Sequence, residues 1–145
     1  MATAKGLAAG AGIPLVSVPS LEAMAFALRW TSITVVPIID ARKKRVYTAA
    51  FRMGKQIHDD VDLDLQNLTD YLSDLKPLVL TGPGVEIAAL ISPPSEDLFI
   101  DRENTSWNRG YIELGIERFK TNGADEPGAG PEYLRKSDAE LNLKN

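Results

Sequence analysis

Ile33-Thr34-Val35-Val36-Pro37-Ile38-Ile39-Asp40, then Arg45-Val46-Tyr47-Thr48-Ala49-Ala50-Phe51-Arg52, then Gln56-Ile57-His58-Asp59-Asp60-Val61-Asp62-Leu63 follow one another with only short polar breaks. The first run is β-branched and almost wholly apolar, the pattern of a strand covered on both faces. The second carries Val46, Tyr47 and Phe51, and Gly54 supplies the turn into the third. A meander of three antiparallel strands is the simplest assembly. Pro37 has no N–H to give a ladder, so a bulge or a gap is expected there.

Beyond the meander, Leu65, Leu68, Leu72 and Leu75 recur at helical spacing and predict a helix over Asp64 to Leu75. Leu78 to Leu80 is a short buried strand, and Thr81-Gly82-Pro83-Gly84 turns it into a helix from Val85 to Ile91. Pro93 and Pro94 end that helix, and Leu98 to Ile100 is the last strand. Ser106 to Lys120 is a further helix whose apolar arc (Trp107, Tyr111, Leu114 beside Ile112, Ile116, Phe119) is wide enough to pack on two surfaces. Before the meander, Ala2 to Ala9 is helical, stopped by Gly10 and Gly12. Ile13 to Val18 has the composition of a buried strand, and Ser20 is suited to cap a helix over Leu21 to Leu28.

The expected fold is therefore α/β, a mixed sheet of order 3-2-1-4-5 flanked by helices. Its strands are expected near 33–40, 45–53, 56–62, 78–81 and 98–100. This is the plan of one ribonuclease-H-like lobe of the actin and sugar-kinase superfamily, although many α/β folds satisfy the same pattern.

The 145 residues suffice for one ordinary domain. A net charge of -4 argues against a free-standing nucleic-acid binder, so any RNA is expected to be gripped by another subunit. The chain has no cysteine, which excludes disulfides, thiol nucleophiles and thiolate metal sites. No apolar run is long enough to span a bilayer, and Met1 to Lys5 do not open a secretory leader. A cytoplasmic protein without membrane association is the expectation.

Candidate chemistry is sparse. His58 is the single histidine, so no two-histidine metal site or Ser-His relay can be built within one chain. Asp60, Asp62 and Asp64 alternate as in a calcium loop, but Leu65 and Tyr71 stand where Gly and Glu are required. Strand alternation explains them instead: Val61 and Leu63 face inward, Asp60 and Asp62 face water, and Asp64 caps the next helix. Thr81, Gly82 and Gly84 are a weak anion-binding candidate, weakened further by the missing N–H of Pro83. A tight strand-to-helix turn is the competing reading. Arg42-Lys43-Lys44-Arg45 reads as a solvated hairpin tip, or as an electrostatic contact with RNA or an acidic partner. No catalytic residue, metal ligand or cofactor site emerges.

Four segments carry a family resemblance. Ala2-Thr3-Ala4-Lys5-Gly6-Leu7-Ala8, Gly12-Ile13-Pro14-Leu15 and Ser20-Leu21-Glu22-Ala23 resemble the ATAKGLA, GIPL and S-x-LEA run in the middle of TsaB (YeaZ) proteins. Asp40-Ala41-Arg42 with Val46-Tyr47 is similar to their DAR…VY hairpin, and Pro131, Tyr133, Leu134 and Arg135 to their P-x-YLR ending. Lys44 and Arg45 depart from the Gly-Glu usual in that hairpin. The family's opening Asp-Thr-Ser strand and its GPGSFTGLR-like segment do not occur here.

The resemblance implies residues 1–30 as a remnant of a first lobe, 31–135 as a second actin-like lobe, and 136–145 as a flexible tail. A fragment or a late-starting product is expected on that basis. It also implies a role without an activity: a non-catalytic scaffold in the threonylcarbamoyladenosine modification of tRNA. The implied partners are a TsaD-like transferase, which holds the metal-binding histidines, and through it a TsaE-like ATPase. A homodimer stays open, and tRNA is met only indirectly. The contact is expected on Ala2, Lys5, Gly6 and Ala9, where small residues let helices approach and Lys5 can reach an acidic rim. Ordinary core packing of that helix is the alternative. The rival functions are an actin-fold ATPase or glycoprotease-type hydrolase, and an inactive fragment.

Overall fold

The computed structural model describes residues 2–103, 107–126 and 128–130. Five strands form one sheet of order β3-β2-β1-β4-β5, as the sequence predicts. β1 (Thr34–Arg42), β2 (Arg45–Arg52) and β3 (Lys55–Asp64) are the antiparallel meander, while β4 (Leu78–Thr81) and β5 (Leu98–Ile100) run parallel to β1.

The helices follow from what each sheet face must cover. Val36, Ile38, Val46, Leu78 and Leu80 point to one face, where Leu68 and Leu72 of α3 (Leu68–Ser73) and Val85 and Ala88 of α4 (Val85–Ile91) complete the core. Val35, Ala49, Phe51 and Val79 point to the other, beneath Leu21 and Ala25 of α2 (Ser20–Phe26). Covering both faces explains why β1 carries apolar residues without alternation. Fully burying one such aliphatic side chain contributes about 1.5–3 kcal/mol, so these two clusters dominate the stability. α5 (Trp107–Asn122) lies on α2: a Cβ added at Gly110 would stand 2.1 Å from the Ala23 carbonyl oxygen. Only a residue without a side chain permits that approach.

Local expectations meet mixed outcomes. Pro37 leaves a gap, one of its two expected effects, and no bulge: the β1–β2 register is the same at Val35–Phe51 and at Ile38–Thr48, with Val36 and Pro37 left out of the pairing. The register shifts later, between Asp40 and Arg42. Residues 13–18 are not a strand. They are irregular: Val18 meets Gly115 of α5, the Leu15 carbonyl accepts from the Asp125 N–H (2.9 Å), and the Ser17 N–H donates to the Asp125 carboxylate (2.8 Å). Ser20 does not cap α2; Pro19 holds that position and Ser20 is the first helical residue. Asp64 makes no cap bond, and a single 3-10 turn, Leu65–Asn67, precedes α3.

α5 does not bury its whole apolar arc. Gly110 and Leu114 are buried and Gly115 meets Val18, but Ile112, Ile116 and Phe119 remain 63%, 50% and 44% exposed. The expectations for Ser106, for Pro131 to Arg135 and for the 136–145 tail concern positions outside the described residues. Among the described residues no helix is long and apolar enough to cross a membrane.

Candidate functional site

α1 (Ala2–Ala11) closes with the paired bonds of a glycine-terminated helix, Gly12 N–H to the Ala9 carbonyl (3.3 Å) and Ile13 N–H to the Ala8 carbonyl (3.0 Å). Of its side chains only Ala8 is buried. Ala2, Lys5, Gly6 and Ala9 are spaced to share one helical face, and Ala2, Gly6 and Ala9 are exposed on it. Nothing lies within 4 Å of a Cβ built at Gly6 or Gly10. The Lys5 ammonium donates to the Ala129 carbonyl, so the residues after α5 reach back to this helix. Leu7, 69% exposed, and Ile13, 60% exposed, add apolar surface beside it.

The Thr81–Gly84 turn is knit into the sheet. The Gly84 N–H donates to the Ile38 carbonyl (2.9 Å), and the Thr81 hydroxyl donates to the Asp101 carboxylate (3.2 Å). Gly82 has φ +101° and a Cβ there would lie 2.6 Å from the Ile38 carbonyl oxygen. These contacts are those of a tight turn pressed against β1, and the carboxylate of Asp101 stands beside it.

The aspartates and the basic hairpin meet each other. Arg45 bonds Asp62 through Nε (2.7 Å) and Asp64 through Nη1 (2.7 Å), so Asp62 is ion-paired rather than turned to water. The bond to Asp62 is the main cause that raises the Arg45 pKa. Asp60 accepts from the Gln56 amide (2.8 Å). The remaining cations of the tip sit on left-handed backbone, with φ of 64° at Arg42, 52° at Lys43 and 59° at Lys44. His58 is exposed and meets Tyr71 edge to face, ring centroids 5.7 Å apart. The Tyr71 hydroxyl is buried without a hydrogen-bond partner; burial, then the charge of Asp60, pushes its pKa up to about 12. Among the described residues no group of three His, Cys, Asp or Glu side chains could hold a metal ion.

One cluster escaped the sequence reading. The Arg29 guanidinium lies 3.9 Å from the Phe26 ring centroid and 4.7 Å from that of Trp30. Its nitrogens donate to the Phe26 carbonyl (2.8 Å) and to Glu113 on α5 (2.8 Å). Glu113 also binds Arg109, and that bond is the leading cause holding its carboxyl below the usual range. Trp30 is nonetheless 79% exposed. Phe26 falls within the predicted Leu21 to Leu28 helix and Arg29 and Trp30 lie past its end, so nothing in their spacing joins the three.

Against known families, the model described as TsaD, tRNA N6-adenosine threonylcarbamoyltransferase, matches residues 1–90, from α1 into α4. No curated protein matches the chain.

Proposed function

The chain belongs to the TsaD family, tRNA N6-adenosine threonylcarbamoyltransferase, and from that membership we propose that it is a non-catalytic, TsaB-like member that supports a separate TsaD-like transferase. Involvement in the threonylcarbamoyladenosine modification of tRNA is the family's coarse assignment. The finer reading rests on one observation above all: a chain of this family with a single histidine and no cysteine. A metal-dependent transfer needs several neutral imidazoles or equivalent donors in one place, and His58 instead stands exposed beside Tyr71.

The scaffold role is supported by α1. An exposed face with Gly6 and Ala9 on it, open at the positions where side chains would project, lets another helix approach closely. A TsaD-like subunit is the proposed occupant, and a TsaE-like ATPase joins through it. A tagged copy of the chain co-expressed with a TsaD-like protein tests this. We expect the two to copurify, and the chain to raise threonylcarbamoyladenosine formation on ANN-decoding tRNA in a reconstituted reaction. Gly6→Leu should abolish copurification without changing the circular dichroism of the chain. ATP turnover or transfer activity by the chain alone would replace the scaffold with an enzyme, and copurification untouched by Gly6→Leu would remove α1 from the contact.

A further inference from the structure

The two sides of α5 meet different surroundings. Gly110 and Leu114 are buried, and Arg118 bonds Glu22 of α2. On the opposite side, by helical periodicity, Ile112, Ile116 and Phe119 remain exposed. Their separations of four and three residues are those of the d, a and d positions of a heptad, so they form one row along the helix. Such a row of large apolar side chains in water marks an interaction surface rather than scattered exposure. Glu113 and Lys120 both fall at e positions on one flank of it. Arg29 and Arg109 hold the Glu113 carboxylate, whereas Lys120 has no ion pair among the described residues.

We propose that this row is a contact with a second copy of the chain, an antiparallel pairing of two α5 helices about a two-fold axis. Like flanks meet in an antiparallel pair, and a two-fold axis makes every contact twice. Ile116 of each copy then packs on Phe119 of the other, and Glu113 of each comes beside Lys120 of the other. Ile112 reaches the turn at Gly123, where nothing lies within 4 Å of an added Cβ. A parallel pair would instead set Glu113 against Asn108 and Lys120 against Gly115, with no charge pair at all. This self-complementarity points to a second copy rather than to an unrelated protein, because one surface supplies both halves of each pair. Arg29 and Arg109 already share the Glu113 carboxylate, and an exposed ion pair contributes little. The Lys120 pair therefore fixes direction and register, while the apolar row supplies the affinity. The inference goes beyond the scaffold reading and uses a helix other than α1.

Two helices of this length make a small interface, so association should be weak, with a dissociation constant on the order of 100 µM. Sedimentation equilibrium of the whole chain, from well below that concentration to well above it, should show the mass rising from one chain to two. It should rise no further, as a closed two-fold contact requires. Ile116→Asp should hold the chain at one copy across the range with an unchanged circular dichroism spectrum. Leu90→Asp, at an α4 residue that is 81% exposed and off the row, should leave the dimer intact, and so should Gly6→Leu. Lys120→Glu should weaken the dimer roughly 3- to 30-fold at low salt, and that difference should shrink in high salt. Lys120 has no ion pair to lose within the fold, so this variant decides the matter where Ile116→Asp fails to fold. The proposal is overturned by a chain that stays single throughout, by growth beyond two copies, or by a dimer indifferent to Ile116→Asp or to Lys120→Glu. Loss of the dimer in Gly6→Leu also overturns it, because the self-contact then lies on α1. So does a single chain in which Ile116→Asp lowers the urea midpoint, since the row is then covered from within, or abolishes copurification with a TsaD-like protein, since the row is then that protein's. The scaffold reading fails on copurification and modification, this one on sedimentation of the chain alone, so either can fail without the other.

Discussion

Lys44 occupies a position that a two-residue hairpin turn usually gives to glycine. With φ of 52° and 59° at Lys43 and Lys44, each Cβ is crowded by its own backbone. The turn persists because the Lys44 carbonyl accepts from the Leu65 N–H (2.9 Å) and the Arg42 N–H donates to Asp40 (2.7 Å). Lys44→Gly keeps the carbonyl and removes the crowding. It should raise stability in urea by about 0.5–1 kcal/mol, strain relief less the freedom glycine adds to the unfolded chain. A loss of stability would mean that the lysine side chain itself holds the tip. Glu113 gives a second residue-level expectation, this one in pH. Its folded pKa lies below the ordinary value of 4.5 because Arg109, then Arg29, favour the carboxylate. A carboxyl depressed by folding stabilises above its unfolded pKa, and that contribution fades as pH falls through the folded one. The thermal stability gap between the protein and Glu113→Gln should therefore be present at neutral pH and close on acidification. A gap of constant size down to strong acid would remove the ion pairs from the account.

At the level of elements, the α2–α5 contact turns on Gly110. Gly110→Ala drives a methyl group against the Ala23 carbonyl, a separation that backbone must move to relieve. Such overpacking costs about 1–3 kcal/mol and sometimes more, so its urea midpoint should fall clearly, while Ala substitution of the open Gly10 should not lower it. Equal tolerance at both sites would show that α5 does not seat on α2. Nothing in the sequence marks Gly110 as the closest approach, because which glycine faces a neighbouring helix is decided by tertiary packing. The sheet, in contrast, was legible almost to the residue. Period-two and continuous apolar runs fix the strands, and connection lengths leave few strand orders. Ile13 to Val18 was misread because a half-covered irregular segment has the same composition as a strand; only Asp125, far along the chain, decides between them. Asp62 was misread for a related reason, since alternation predicts its side of the sheet but not that Arg45 bonds it there. Of the candidate residues, helical spacing puts Ala2, Lys5, Gly6 and Ala9 on one face of α1, and Ala2, Gly6 and Ala9 are exposed. The Arg29–Trp30 cluster was not legible, because Arg29 meets Glu113 of α5 through space alone.

Across the whole molecule, stability is concentrated on the two faces of the sheet, and α1 lies outside both clusters. Leu80 is fully buried among Val36, Ile38, Leu72 and Leu98, whereas α1 buries Ala8 alone. A helix of ten residues is marginal in water without tertiary support, so α1 should open locally while the sheet stays closed. Amide hydrogen exchange should then divide the chain: β1, β2 and β4 exchange only through global unfolding, and α1 exchanges far sooner. Leu80→Ala separates the two routes. It should lower global stability by about 2–5 kcal/mol and speed exchange in the strands by the matching factor, while the rates in α1 stay where they were. Addition of a TsaD-like protein should do the reverse, slowing α1 and leaving the slowest strand amides unchanged, because a docked face supplies the support that the fold does not. If α1 instead exchanges at the strand rate and follows Leu80→Ala, it is part of the cooperative core, and its open face is not held in reserve for another chain.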